Sequence, residues 1–230
     1  MEDNPALSPR IRARYRSAYS GVFYRRFVLG EWTAAQGRVY DFFDESMVRP
    51  VPQGEMERWC ISCDYGTVNP TSLGLWGLQN GVWYRVKEYY YDSRAERAQK
   101  TDGEYADALE QLAGGRPIWK IVADPSAASF IEVLRRRGWR VEKADNDVLA
   151  GIRTTAGLLK RGKLVICEGC RDAIREFSLY CWDEKAVGDR VKKIHDHAMD
   201  DIRYFAATVA AGERGYFGGC LLYTSPSPRD

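Results

Sequence analysis

The sequence predicts an α/β fold: a mixed sheet that opens as an antiparallel three-strand meander, continues in parallel strands and is flanked by helices. Three observations predict it. A short apolar, partly β-branched run, Trp59–Asp64, ends on an acid just before Gly66. Two further strand-like runs, 72–78 and 82–91, follow on either side of Asn80-Gly81, a strong hairpin dipeptide. From residue 102 onward the hydrophobic period switches, and helical patterns alternate with short apolar runs, as in a parallel sheet with covering helices.

In chain order, residues 47–58 carry Pro50, Pro52 and Gly54 and read as a linker. After the strand at 59–64, Gly66 to Thr71 turn through Asn69-Pro70. Glycines in the second strand allow close backbone approach, and the third strand is rich in aromatics. Tyr105, Leu109 and Leu112 lie at i, i+4 and i+7 of a helix that Gly114-Gly115-Arg116-Pro117 stops. The run 118–123 is nearly all apolar, as expected of a strand covered on both faces, and ends on Asp124-Pro125. Ser126 is expected to cap the next helix, whose apolar face is Phe130, Val133 and Leu134 and which Gly138 ends. A short strand at 139–143, a helix at 146–161, a strand at 164–166 and a helix at 169–182 follow. Residues 183–193 are charged and loop-like, and the last helix runs from about His197 to Ala211. The order β-β-β-α-β-α-β-α-β-α-α is the RNase H-like arrangement. In it the first strand is central and pairs with the first parallel strand, so Asp64 and Asp124 should end side by side.

The chain has 230 residues, 45% of them hydrophobic, enough for one large domain. Its net charge of +2 neither supports nor excludes a nucleic-acid partner, so any such contact must come from local basic patches. No apolar run reaches the roughly 18 residues of a membrane span, and Met1–Pro5 lack the pattern of a signal peptide. Six cysteines without a signal peptide suggest reduced thiols in a cytosolic compartment. Cys60/Cys63 and Cys167/Cys170 have the CxxC spacing of a zinc site. Cys60 and Cys63, three apart on a strand, face opposite sides, which favours small core residues over ligands.

Three acids stand at the ends of separate elements: Asp64, Asp124, and the cluster His195-Asp196-His197-Ala198-Met199-Asp200-Asp201 that opens the last helix. Singly, each has a bland explanation, as a turn former or as a charge favoured by a helix N-terminus. Together they suit phosphodiester hydrolysis, which needs an activated water and a stabilised leaving oxygen. Two divalent cations about 3.5–4 Å apart supply both, and hard oxygen ligands suit Mg²⁺ or Mn²⁺. Asp64, on the central strand, is the expected bridging ligand. His197 shares a helix face with Asp200 and could hold a water, shuttle a proton or contact the scissile phosphate. Arg135-Arg136-Arg137 and Lys192-Lys193 read as solvated faces or as phosphate contacts. The basic residues Arg190, Lys192 and Lys193, just ahead of the acidic helix, are the candidate DNA contacts.

Both ends depart from this logic. Residues before about 46 are polar, then amphipathic and aromatic, and too short to bury a core of their own, so they read as the tail of a preceding domain. Cys220 to Asp230 match, residue for residue, a reading-frame translation of a sequencing-library adapter, and are expected to be an assembly scar after a domain spanning 59–219. No GxxxxGK[ST] occurs, so the chain has no phosphate-cradling Walker loop.

The runs "YRRFVLGEWTAAQGRVYDFF", "CDYGTVNPTSLGLWG", "IVADPSAASFIEVLRRRGW" and "HDHAMDDIRYFAA" resemble, in order and spacing, the C-terminal half of a tailed-phage terminase large subunit. The resemblance covers nearly all of residues 20–211. That family is a DNA-packaging motor, an ATPase domain joined to an RNase H-like nuclease domain. The resemblance implies that residues 1–46 end an ATPase domain and that this fragment does not hydrolyse ATP. It implies that 59–219 form an endonuclease cutting concatemeric viral double-stranded DNA in the bacterial host cytoplasm. It places the family's catalytic acids on Asp64, Asp124 and Asp200. Family members often carry Ala after the last of these, and Asp201 here leaves the third ligand open between Asp200 and Asp201. The small terminase subunit and the portal protein are the implied partners. Alternatives are another RNase H-like nuclease, of junction-resolvase or transposase type, and a non-catalytic module that only docks onto the portal ring or the small subunit.

Overall fold

The computed structural model describes residues 8–19, 21–31, 33 and 35–212. The segment 220–230, expected to be a scar, lies outside the described residues, as do residues 1–7. The strands are Val48–Arg49 (β1), Arg58–Asp64 (β2), Thr71–Gln79 (β3), Val82–Tyr91 (β4), Ile118–Ala123 (β5), Val141–Lys143 (β6) and Leu164–Cys167 (β7). The helices are Pro9–Ala18 (α1), Gly21–Tyr24 (α2), Asp102–Ala113 (α3), Ala128–Arg136 (α4), Val148–Lys160 (α5), Arg171–Leu179 (α6) and His197–Phe205 (α7), with π-helical turns at Arg25–Leu29 and Ala206–Ala210. The strands form one sheet in the order β1-β7-β4-β3-β2-β5-β6. β2 is antiparallel to β3 and parallel to β5, and the remaining parallel pairs are β5–β6, β4–β7 and β1–β7. The expected mixed α/β sheet is therefore present, with β2 paired on both sides, to β3 and β5, although the middle of the seven strands is β3 because β7 and β1 extend the far edge.

The period of two along β2 divides the chain into two cores. Ile61 and Cys63 face α3 and α4, among Leu73, Leu75, Tyr105, Leu109, Phe130 and Leu134. Cys60 faces the other way, towards α5, α6 and α7, in a core with Trp76, Ile152, Phe177, Met199 and Phe205. The two cysteines thus lie in different cores and cannot share a metal ion. On the α7 side the Trp76 ring stacks on Phe205, with centroids 4.1 Å apart and 3° between planes.

That same face holds a buried polar cluster. Arg85 of β4 is completely buried and meets Asp201 of α7 at 2.7 Å and Glu88 at 3.5 Å. Ser62 of β2 and Ser72 of β3 both donate to the Asp201 carboxylate. The guanidinium has room only because β3 carries Gly74: a Cβ built there would overlap the Arg85 side chain. The glycine anticipated from sequence as a close approach is therefore an approach of a side chain. Gly74→Ala is expected to lower the urea midpoint by the equivalent of about 1–3 kcal/mol, the usual cost of overpacking a filled core. An unchanged midpoint would show that Arg85 can move aside.

Three expectations need correction. The stretch read as a linker, 47–58, contains β1, which pairs with β7 through Val48↔Ile166 and Arg49↔Cys167. Ser126 does not cap α4: the residue before the helix is Ala127, which makes no side-chain cap, and the Ser126 amide instead donates to Asp124 Oδ1 at 2.8 Å. The helix expected at 169–182 ends at Leu179, because Cys181 and Trp182 form β-bridges with Arg38 and Val191. Upstream, Tyr40 and Phe43 lie against Phe177 of α6, the latter with ring centroids 3.9 Å apart, and Phe23 meets Trp182 edge-on. The aromatic segment before residue 46 thus completes the core on the α6 side.

Candidate active site

Register brings the first two acids together. Cys63 of β2 pairs with Ala123 of β5, and the Asp124 amide donates to the Cys63 carbonyl at 3.3 Å. Asp64 and Asp124 are the next residues on each strand and share parity, so both face α7 rather than α3 and α4. α7 supplies the rest from one face: His197, Asp200 three residues on, and Arg203 and Tyr204 three and four residues beyond Asp200. These residues line one cleft of about 870 Å³.

The start of α7 is fixed from outside. Glu176 of α6, wholly buried, accepts the Ala198 amide at 2.7 Å through Oε2 and the Tyr90 hydroxyl at 2.7 Å through Oε1. It satisfies one of the orphan donors of the helix N-terminus. Asp196, in the N-cap position, makes no side-chain cap, and its carboxylate turns instead to Lys193 Nζ at 3.2 Å. His195 precedes it with φ of +54°, a left-handed bend that brings the loop over the cleft.

Each acid of the cleft has a protein partner. Asp64, 8% exposed, bonds through Oδ2 to His197 Nδ1 at 2.9 Å. Burial, helped by the neighbouring Asp200 and Asp201 charges, raises its carboxyl to about 7 against the pull of the His197 bond and charge. Burial pulls His197 down, but the bond and charge of Asp64 outweigh it and the imidazole pKa is raised. Asp124 accepts the Tyr204 hydroxyl at 2.8 Å, and burial followed by the Asp200 and Asp64 charges holds that phenol well above its ordinary range. Asp200 accepts Arg203 at 3.1 Å through Oδ1 and Lys193 Nζ at 2.9 Å through Oδ2.

Of the residues expected from sequence, Asp64, Asp124, Asp200, His197 and Lys193 all line the cleft, while Arg190 and Lys192 are exposed on the loop and do not. Asp201 does not reach the cleft. It is fully buried and committed to Arg85, Ser62 and Ser72, so it is withdrawn as a metal ligand, and of the adjacent pair only Asp200 faces the cleft. Sequence reasoning missed Tyr204 and Arg203, although their spacing from Asp200 puts them on its helix face. It also missed Arg94 and Arg175, which line the same cleft from the loop after β4 and from α6.

Among the described residues no three His, Cys, Asp or Glu side chains stand close enough together to hold one ion. The donor set nonetheless suits hard divalent cations: carboxylate oxygens from three elements share one cleft. A cation there would replace some of the present partners. Among the described residues no helix is long and apolar enough to cross a membrane.

No protein-family model matches the sequence, and comparison with curated proteins finds no match. Solved structures do match. The large terminase of a thermophilic bacteriophage, in complex with ADP, is 46% identical, with a TM-score of 0.87, over 92% of this chain and 54% of that one. The P22 large terminase nuclease domain is 18% identical, with a TM-score of 0.62, over 76% of this chain and 93% of that one. The large terminase nuclease from thermophilic phage G20c with bound magnesium is 14% identical, with a TM-score of 0.58, over 74% and 97%. The latter two show the fold alone. The chain spans about half the length of the large terminase it matches at 46% identity.

Proposed function

We propose that this terminase-like chain contains a metal-dependent DNA endonuclease that cuts concatemeric viral DNA during genome packaging in the host cytoplasm. The observation that supports this most is the meeting of Asp64, Asp124 and Asp200, from β2, the end of β5 and α7, in one cleft. The cleft fits the chemistry of Mg²⁺ or Mn²⁺, and the G20c nuclease was solved with magnesium bound. In this reading residues 59–219 are the nuclease domain, residues 1–46 continue from an ATPase domain, and the small terminase subunit and portal protein are partners.

Two ions held by Asp64, Asp124 and Asp200 would supply an activated water and a stabilised leaving oxygen. The chain's own groups do the rest. His197, bonded to Asp64 through Nδ1, has its other ring nitrogen with which to take or return a proton at the attacking water. Tyr204 orients Asp124, and Arg203 orients Asp200. Arg190 and Lys192 on the loop, with Arg94 and Arg175 at the cleft, supply cations for the DNA backbone.

The test is Mn²⁺-dependent cutting of a supercoiled plasmid, stopped by EDTA. Asp124→Ala and Asp200→Ala should each reduce the rate more than about 100-fold, beyond the loss typical of groups that only orient a ligand. Full activity in either variant would sink the assignment. The internal pairing of every acid in the cleft favours, as a second reading, a module that docks without cutting. Portal binding without any heat of Mn²⁺ binding in calorimetry would select it. Preference for branched DNA, or strand joining, would instead select a resolvase or transposase type.

A further inference from the structure

Asp200 is doubly engaged, and its two partners are held very differently. Arg203, on one oxygen, is 1% exposed. Its Nη2 is also tied to Asn146 Oδ1 at 3.1 Å, and its stem lies so close over Gly151 that a Cβ there would come within 2.5 Å of Cγ. Nothing about that arrangement lets the guanidinium leave. Lys193, on the other oxygen, has a side chain 64% exposed and sits in the loop ahead of α7. The next residue, Ile194, is itself 62% exposed, so its side chain does little to anchor the loop. Among the described residues, the ammonium's other acidic partner is Asp196, at 3.2 Å.

We propose that Lys193 is an exchangeable counter-cation of the cleft: a divalent ion arriving at Asp200 displaces its ammonium, which then takes a phosphate of the bound DNA backbone. The inference rests on the metal-site reading above. Divalent ion and lysine compete for the same carboxylate oxygen, because Arg203 keeps the other. The displaced ammonium stays at the cleft, tethered by Asp196 and the short link to α7. It is therefore a cation released at the place where a backbone phosphate must lie for cutting. Metal and DNA then help each other. The ion frees the lysine for the phosphate, and the phosphate, by holding the lysine, relieves the ion of a competitor. By linkage each ligand tightens the other by the same factor. This places Lys193 apart from its neighbour Lys192, which is exposed but outside the cleft.

The experiment titrates the full chain with Mn²⁺ by calorimetry without DNA, in the wild type, Lys193→Ala and Lys192→Ala, and repeats it with Ca²⁺ while following a fluorescent DNA duplex by anisotropy. Without DNA, Lys193→Ala should bind Mn²⁺ about threefold to fivefold more tightly, the scale of a largely exposed ion pair, whereas Lys192→Ala should stay within error of the wild type. Ca²⁺ should tighten duplex binding in the wild type, and this gain should shrink in Lys193→Ala. Equal tightening by both substitutions would overturn the exchange in favour of general electrostatics. Unchanged Mn²⁺ affinity in Lys193→Ala would overturn it while leaving the metal site intact. Absence of Mn²⁺ binding in all three proteins would overturn the metal-site reading and the exchange with it.

Discussion

Asp64→Asn is expected to abolish Mn²⁺-dependent cutting and, at the same time, to raise the melting temperature of the metal-free protein. Burial lifts the Asp64 carboxyl from its ordinary 3.8 to about 7, so the folded protein holds that proton more tightly than the unfolded chain does. Wherever the folded state binds more protons, stability falls as pH rises. The contribution is intact below the ordinary carboxylate range and is lost as pH climbs to about 7. His197 has the same sign: its raised pKa means stability lost as pH rises through the folded value. Each tenfold change in proton affinity corresponds to about 1.4 kcal/mol, so above pH 7 the ionised carboxylate costs on the order of a few kcal/mol. An amide of the same shape removes that cost, at about 2–4 °C per kcal/mol for a chain of this size. Melting curves from pH 5 to pH 8 should therefore show the wild type falling away from Asp64→Asn as pH rises. Added Mn²⁺ should restore the wild type alone, since only it has the full ligand set. A variant less stable than the wild type at pH 8 would mean that Asp64 serves the fold, and the catalytic assignment would lose its main support.

Asp201→Ala should have the opposite signature, a large loss of stability. The substitution leaves Arg85 charged and fully buried, without the carboxylate that meets it at 2.7 Å. Removing one partner of a buried pair typically costs about 3–5 kcal/mol, whereas replacing both by apolar groups is often neutral. The double variant Arg85→Met/Asp201→Leu should then recover most of the urea midpoint that Asp201→Ala loses. A single variant within about 1 kcal/mol of the wild type would show that water reaches Arg85. The adjacent acids Asp200 and Asp201 are thus expected to separate cleanly, one carrying activity and the other stability.

Much of this was legible in the sequence because period and parity are local. Asn80-Gly81 marks the β3–β4 hairpin, and both residues adopt the left-handed backbone it needs, with φ of 52° and 67°. Asp64 and Asp124 follow apolar runs that must lie side by side, so their meeting follows from topology alone. Other features carry no local signal. Two residues are too few to show a period, which hid β1 inside a proline-rich stretch. The choice between Asp200 and Asp201 rests on Arg85, more than a hundred residues upstream on another element. Ser126 looks like a cap only until Asp124 takes its amide. Lys193 reads as a solvated charge because nothing in its neighbourhood says that an acid one turn into α7 folds back over it.

The attachment of the upstream segment has a mechanical consequence. Residues before β2 are stitched to the rest of the fold at several places, among them β1 along β7, the Gly37 and Val39 backbones to Trp182 and Tyr180 at 2.9 Å each, and Arg26 to Asp189. Traction applied to that segment would load these attachments, to α5, the 183–193 loop, the end of α6 and β7, as shear on a few polar contacts. Only after those seams parted would tension pass to β2. The strands that hold Asp64 and Asp124 are therefore strain-relieved, much as a cable clamp spares a soldered joint.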